Sequence, residues 1–342
     1  MFNFWYNKKV LITGHTGFVG AWLSVVLSYL GAEVLGFSLE EEENSLYKKI
    51  KHKIRIESAY GDIRDYVLIE RYISNFKPDI IFHLAAFGFI KECFDDPERA
   101  FSTNVQGTLN LMQAVRKHSC GIVIASSDKV YKNNNMKSYL FKEEDALGGS
   151  DPYSASKTCQ DILAQSFCES YLDEHYLCIV RPSNILGGGD HNKHRLIPSI
   201  YHSLKNGYSP EIRNPDAIRP WQNVLDMVAA YLKIAEGAKT SIYNVGPEDS
   251  GIKTVGEIVA YITRLYGKTD FYTIISNELK EKSYLGLSIE KIKKELNWWP
   301  KRTLEQTLDE IFEFYENDRG KNTYDLCMSL IKDYYGGDIN VE

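Results

Sequence analysis

Apolar residues in this chain run in short unbroken blocks, and between most of the blocks they recur three and four positions apart. Blocks at 9–13, 33–38, 53–60, 79–84, 121–125 and 176–180 have the length and content of strands buried on both faces. The intervening stretches predict helices over 18–30, 65–76, 97–117 and 152–172. Gly31 closes the first helix, and the acidic run 40–44 reads as a solvated loop. Strands alternating with helices predict an α/β fold with a doubly wound parallel sheet. Beyond Arg181 the alternation breaks. Pro182, Gly187-Gly188-Gly189, Pro198, Pro210, Pro215 and Pro220 mark loops and short elements, as expected of a smaller C-terminal α/β lobe closing over a ligand.

At 342 residues the chain is long enough for two unequal units. The expected division is 1–181 for a nucleotide-binding domain and 182–342 mainly for a substrate lobe, some of whose segments return to the first domain. A net charge of -6 without a basic stripe argues against a nucleic-acid partner. No apolar run is long enough to span a bilayer, and residues 1–9 lack the layout of a signal peptide, so a cytoplasmic protein is expected. Cys93, Cys120, Cys159, Cys168, Cys178 and Cys327 are scattered without a Cys-x-x-Cys pair, which suits free thiols in a reducing compartment. His191 and His194 lie in a glycine-rich loop with no third ligand in view, so no metal is expected.

Five features carry chemistry. Gly14, Gly17 and Gly20 form a turn between the first strand and helix, where a backbone can approach a pyrophosphate at a helix N-terminus; this makes the sheet Rossmann-like. Asp62, after the third strand, is placed to bond an adenine rim or to cap a helix, with Asp65 the better cap. Ser38 and Glu40 follow the second strand without an arginine for a 2′-phosphate, which favours NAD over NADP. Tyr153 and Lys157 are four apart on a predicted helix and so share a face, where a cation lowers the pKa of a phenol toward that of a working base. Upstream stand Ser127, able to bond the same substrate oxygen, then Asp128 and Lys129, proton-transfer groups that plain alcohol oxidation does not need. The blander alternatives are a surface Tyr–Lys pair, Asp128 capping a turn, Lys129 serving only as its ion-pair partner, and Arg219 stacking on Trp221.

Across nearly its whole length the sequence resembles the extended short-chain dehydrogenase/reductase family, and within it the CDP-glucose 4,6-dehydratases. The resemblance rests on Gly14-His15-Thr16-Gly17-Phe18, Ser127-Asp128-Lys129-x-Tyr131 and Gly148-Gly149-Ser150-Asp151-Pro152-Tyr153-Ser154-Ala155-Ser156-Lys157. It continues in Asn184-x-x-Gly187-Gly188-Gly189-Asp190, Arg195-Leu196-Ile197-Pro198 and Arg219-Pro220-Trp221-Gln222. It implies that NAD lies along Gly14, Thr16, Gly17, Phe18, Gly20, Ser38, Asp62, Ile63, Leu84, Ala85, Ala86 and Asn104, reaching Tyr153 and Lys157. It implies a reaction in which hydride leaves C4 of a nucleotide sugar with Tyr153 as base, water leaves across C5–C6 with Asp128 as acid and Lys129 near the C5 proton, and hydride returns to C6. Asn184, Arg195 and Arg219 would hold the nucleotide diphosphate, an arginine fork suiting phosphate. Helices 97–117 and 152–172 would pair across a two-fold in a homodimer or homotetramer.

One segment departs from the family pattern. After His83-Leu84-Ala85-Ala86 the family carries Gln-Pro and then Val-Arg, whereas here stand Phe87-Gly88-Phe89-Ile90-Lys91. Lys91 can supply the missing cation for the substrate but not arginine's fork. The departure leaves a nucleotide-sugar 4-oxidoreductase or epimerase as the alternative; Asp128-Lys129 discriminates against it. A catalytically idle NAD-binding protein has no use for Ser127, Tyr153 and Lys157 together.

Overall fold

The computed structural model describes residues 2–172, 175–192, 194–269, 272–275 and 282–337. Its strands, in chain order, are β1 (Lys9–Thr13), β2 (Glu33–Ser38), β3 (Glu57–Tyr60), β4 (Ile80–His83), β5 (Gly121–Ala125), β6 (Tyr176–Pro182), β7 (Asn184–Leu186), β8 (Glu211–Ile212), β9 (Ile218–Asn223), β10 (Ser241–Val245), β11 (Ile252–Thr254) and β12 (Thr273–Ile274). Seven of them form one sheet in the order β10-β6-β5-β4-β1-β2-β3, every neighbouring pair parallel. Successive side chains point to opposite faces, so a strand covered on both sides feeds two cores. Val10 and Ile12 join the core of helices Phe18–Tyr29 and Val224–Gly237. Leu11 joins that of Tyr66–Phe76, Gly107–Val115 and Pro152–Tyr171. Phe82 and Ile81 divide in the same way, as do Val123 and Ile122. That division is why the strands read as unbroken apolar blocks.

The chain lays down β1, β2 and β3 in one direction, then returns to pair β4 with the other side of β1. Connections leaving β1 and β4 therefore diverge and open a crevice at the carboxyl ends of the strands. The smaller sheet, β11-β9-β7, stands beside it, because only Ser183 separates β6 from β7. A β8–β12 pair and helices Leu196–Lys205, Val255–Leu265 and Leu304–Asn317 fill out this region.

The predicted elements differ from the observed ones in several places. The predicted helix 97–117 is interrupted: an α-turn Pro97–Phe101 leads into a π-turn Ser102–Gln106 and then Gly107–Val115. Gly107 packs so close to Ile63 that an added Cβ would lie 2.6 Å from its side chain, and Thr108 Oγ1 donates to Asn104 O at 2.7 Å. The third strand begins at Glu57 rather than 53, because the preceding backbone turns to helix Phe18–Tyr29, where Arg55 N donates to Ser28 Oγ at 3.0 Å. A helix, Leu46–Ile50, follows the acidic loop. Finally, β10 and the almost wholly buried helix Val224–Gly237 complete the large sheet from within the segment read as the substrate lobe.

Behind the crevice a buried ion pair ties three elements together. Arg181 in β6 donates to Asp161 in Pro152–Tyr171 at 2.9 and 3.0 Å, and to Tyr131 Oη and Glu143 O. Asp161 also accepts from Ser126 Oγ at 2.8 Å. Both partners are almost fully inaccessible (1% and 0%), so removing one strands the other's charge. Asp161→Ala is expected to lower unfolding free energy by about 3–5 kcal/mol, a loss to be read by denaturant titration; a change within about 0.5 kcal/mol, the usual range for a surface substitution, would contradict this account.

Candidate active site

The turn after β1 is shaped by close backbone approach. Gly14 has φ +78°, and a Cβ there would lie 2.8 Å from Ala85 N; one on Gly20 would lie 2.1 Å from Gly14 O. Only glycine fits either position without moving the backbone. Gly17 caps helix Phe18–Tyr29 without a side-chain hydrogen bond, which leaves the first-turn N–H groups unclaimed by a capping side chain. Thr16 Oγ1 and Ser38 Oγ share a hydrogen bond of 2.7 Å at the end of β2, and Leu84 N donates to Thr13 O, drawing the segment after β4 toward the turn. This cradle fits a dinucleotide.

Three of the predicted cofactor residues have protein partners of their own. Asp62 is held by Arg64, with contacts down to 2.6 Å, and this guanidinium lowers its carboxyl pKa; Asp65 is the helix cap, accepting from Leu68 N at 3.0 Å. Asn104 is fully buried: its Oδ1 accepts from Phe87 N at 2.8 Å, and its Nδ2 donates to Phe87 O and to Ser156 Oγ. It holds the 87–91 segment in place, because the π-turn aims it inward. Ile63 is likewise buried, at 5%, and packs in the core.

Asp151 accepts from Ser154 N at 2.9 Å in a capping box, with Pro152 in the first turn, and so fixes where the next helix starts. Tyr153 thereby falls in that first turn and Lys157 one turn later. On the facing loop after β5, Ser127 caps the short 3-10 turn Asp128–Val130 by accepting from Lys129 N at 3.2 Å. Ser127 Oγ donates to Asp128 Oδ1 at 3.2 Å. Asp128 Oδ2 is buried and has no hydrogen-bond partner among the described residues.

Burial governs the charges. It raises the Asp128 pKa, against the opposing pull of Lys129, so the carboxyl keeps its proton to higher pH than an exposed aspartate does. It pushes the Tyr153 phenol up to about 12, opposed by the nearby Ser127 hydroxyl and by Arg195, and it lowers Lys157 to about 7. The expectation that Lys157 depresses the phenol is corrected here. Its ammonium donates to Ala125 O at 2.6 Å, and desolvation outweighs every attraction on the phenol.

Ser127, Asp128, Lys129 and Tyr153 line a cleft of about 920 Å³, together with Lys91, Asn184, Arg195 and Arg219. Every predicted catalytic residue except Lys157, which stands behind Tyr153, therefore meets every predicted substrate residue in one cavity. Arg195 is anchored by Asp190 at 3.1 Å and lies over the Phe18 and Phe89 rings, at 5.7 and 5.4 Å. Arg219 donates to Ile218 O and to Lys282 O, while Trp221 bonds Lys253 O. His191 is spent beside Lys49 and Asp318. The sequence reading missed Asp190 as the anchor of Arg195, for which no local signal exists. It also missed Asp161, which the spacing could have revealed: Tyr153, Lys157 and Asp161 recur every four residues on one helix face.

A glycine cradle at the switch point of a doubly wound sheet, with serine, tyrosine and lysine converging beside it, defines an extended short-chain dehydrogenase/reductase. The chain belongs to the GDP-mannose 4,6 dehydratase family, whose model matches residues 11–311. It is 37% identical to CDP-glucose 4,6-dehydratase of Salmonella typhimurium, covering 97% of both chains. It is 28% identical to dTDP-glucose 4,6-dehydratase of Shigella flexneri, over 90% of this chain and 92% of that one. Among solved structures, dTDP-glucose 4,6-dehydratase of Bacillus anthracis in complex with NAD superposes with a TM-score of 0.80 at 27% identity, over 93% of this chain and 99% of that one. UDP-glucose 4-epimerase of Thermotoga maritima shares the fold, with a TM-score of 0.81 at 22% identity over 90% and 98% of the two chains. Among the described residues no helix is long and apolar enough to cross a membrane.

Proposed function

We propose that CDP-glucose is the substrate of this NAD-dependent nucleotide-sugar 4,6-dehydratase, and that residues 182–342 supply most of the lobe that binds it. The observation that carries the reading is Asp128, buried, its pKa raised by that burial, and joined to Ser127 in the same cleft as Tyr153. An oxidoreductase or epimerase needs no such acid. NAD+ held along the turn of Gly14, Gly17 and Gly20 would supply an acceptor for a hydride from C4 and return it to C6. Tyr153 takes the proton from O4, with Ser127 sharing that oxygen and Lys157 one turn further along the same helix, bonded to Ala125 O. The C4 ketone acidifies the C5 proton, which passes to Lys129 and back. Asp128 protonates the oxygen leaving C6. Arg195, Arg219 and Asn184 hold the diphosphate, with Lys91 as a further cation at the opening.

The test is product mass from purified protein given CDP-, dTDP-, UDP- and GDP-sugars. CDP-glucose should be turned over fastest, giving a product lighter by one water, with solvent deuterium at C5 when made in heavy water. A product of unchanged composition, or one lacking only two hydrogens, would replace this reading with the epimerase or oxidoreductase one.

Two further expectations belong here. The end of β2 offers Ser38 and Glu40 but no arginine to hold a 2′-phosphate, and the Glu41 carboxylate beyond it is taken up by Lys51 and Tyr60. NAD should therefore bind more tightly than NADP by calorimetry, and the reverse order would refute the cofactor assignment. Helix Pro152–Tyr171 exposes Ile162 (53%) and Tyr171 (53%), apolar residues suited to a two-fold pairing with a second copy. Sedimentation as a dimer or tetramer is expected; a monomer at micromolar concentration would contradict it.

A further inference from the structure

Apart from Lys91, the segment 87–91 has no part in the chemistry above, yet it forms a wall of the cleft and is firmly held. Asn104 fixes Phe87 at both backbone groups, accepting from its N–H at 2.8 Å and donating to its carbonyl at 3.1 Å. Arg99 lies over the Phe87 ring at 4.7 Å. Two residues on, Phe89 is the N-cap of helix Ile90–Asp95, and its carbonyl accepts from Cys93 N at 2.9 Å. Between them Gly88 is exposed, and a Cβ there would meet nothing within 4 Å. With Phe87 pinned on one side and the helix on the other, the backbone carrying Phe89 has little freedom.

The Phe89 ring so placed meets the Arg195 guanidinium at 5.4 Å. The contact crosses the cleft, since Phe89 follows β4 of the large sheet and Arg195 opens helix Leu196–Lys205 on the other wall. The Phe18 ring approaches the same guanidinium at 5.7 Å, and Asp190 accepts from its Nη1 at 3.1 Å. A ring face attracts a guanidinium without using up its N–H groups, whereas a second carboxylate would use them and cancel the charge. Among the described residues no side chain other than Asp190 accepts from Arg195, which stays 38% exposed. Its remaining donors are thus left for an anion in the cleft. A long side chain already confined in this way loses less freedom when the anion arrives.

We infer that Phe89 is a positioning residue that holds Arg195 ready for the diphosphate of the nucleotide sugar, an inference resting on the diphosphate role proposed for Arg195 above. It acts through the arginine and not on the reacting carbons. The aromatic face is the essential part, because an aliphatic side chain of similar size would fill the space without attracting the cation.

Calorimetric binding of CDP to the NAD-loaded enzyme tests this in a double-mutant cycle of Phe89 and Arg195, with steady-state kinetics on CDP-glucose beside it. Phe89→Leu should weaken CDP by about threefold to tenfold and raise KM likewise, while kcat stays within about twofold. Phe89→Tyr should restore wild-type binding. On the Arg195→Gln background, Phe89→Leu should change CDP affinity by no more than about twofold. Stepwise fluorination of the Phe89 ring weakens its negative face with little change of shape, so CDP affinity should fall with each fluorine even if the leucine variant does not fold. The inference is overturned if fluorination has no effect, if Phe89→Leu costs as much binding without Arg195 as with it, or if it lowers kcat and leaves CDP affinity alone. If Arg195→Gln by itself leaves the binding of CDP, UDP, dTDP and GDP unchanged, the diphosphate role of Arg195 has failed, and that of Phe89 with it.

Discussion

Asp128→Asn should oxidise C4 and then stall. The amide keeps the shape of the carboxyl and can still bond Ser127, so the turn Asp128–Val130 should survive. What it cannot do is deliver an acidic proton to the oxygen leaving C6. General acid catalysis contributes roughly 10²–10⁴-fold, and loss of water should slow by about that factor. The separation of phases is diagnostic. On mixing with substrate, absorbance of reduced cofactor should rise to about one equivalent per site and persist, whereas wild type should show only a transient. Burial raises the Asp128 pKa, so its acid form persists to higher pH than that of an exposed aspartate, and it is lost as pH rises. The elimination step in wild type should therefore fall on the alkaline side, and the variant's residual rate should not follow that limb. A variant eliminating water at near wild-type rate would remove Asp128 from the chemistry.

Tyr153→Phe should stop the reaction one step earlier. Only a hydroxyl is lost from a residue whose backbone is set by the Asp151 capping box, and the glycine cradle lies on a different loop. Cofactor affinity should stay within about twofold, while turnover falls by roughly 10²–10⁴-fold and no reduced cofactor accumulates. The active form of the base is the phenolate, and burial pushes the phenol to about 12 in the free protein. The sign follows: kcat/KM rises with pH as the phenol ionises, and Phe should flatten that rise. Near-normal turnover by the Phe variant would mean another group takes the O4 proton.

Much of the fold was legible because each buried strand carries its own evidence. A run such as Val10-Leu11-Ile12 must be covered on both faces, whatever its neighbours are. Helix starts were legible where a cap is local, as at Asp65 and Asp151. Strand β10 was not, because its place beside β6 depends on a pairing across more than fifty residues that no short window contains. The interruption near Asn104 was hidden for a similar reason: periodicity continues through a π-turn, and only the contacts to Phe87 and Ser156 show why the helix widens.

The sequence by itself determined the parallel α/β scaffold, the glycine cradle, and which residue types enter the chemistry. These follow from spacing along one strand, turn or helix, where chain geometry brings side chains together. Tertiary structure alone decided which charges those groups carry and which partners they meet. Lys157 was expected to act directly on the Tyr153 phenol, yet its ammonium is drawn to Ala125 O while burial pushes the two groups toward their neutral forms. Arg195 reaches the cleft only because Asp190, Phe18 and Phe89 surround it from separate segments. Protonation depends on desolvation, which every element packed around a site imposes at once, and no local pattern of residues records that sum.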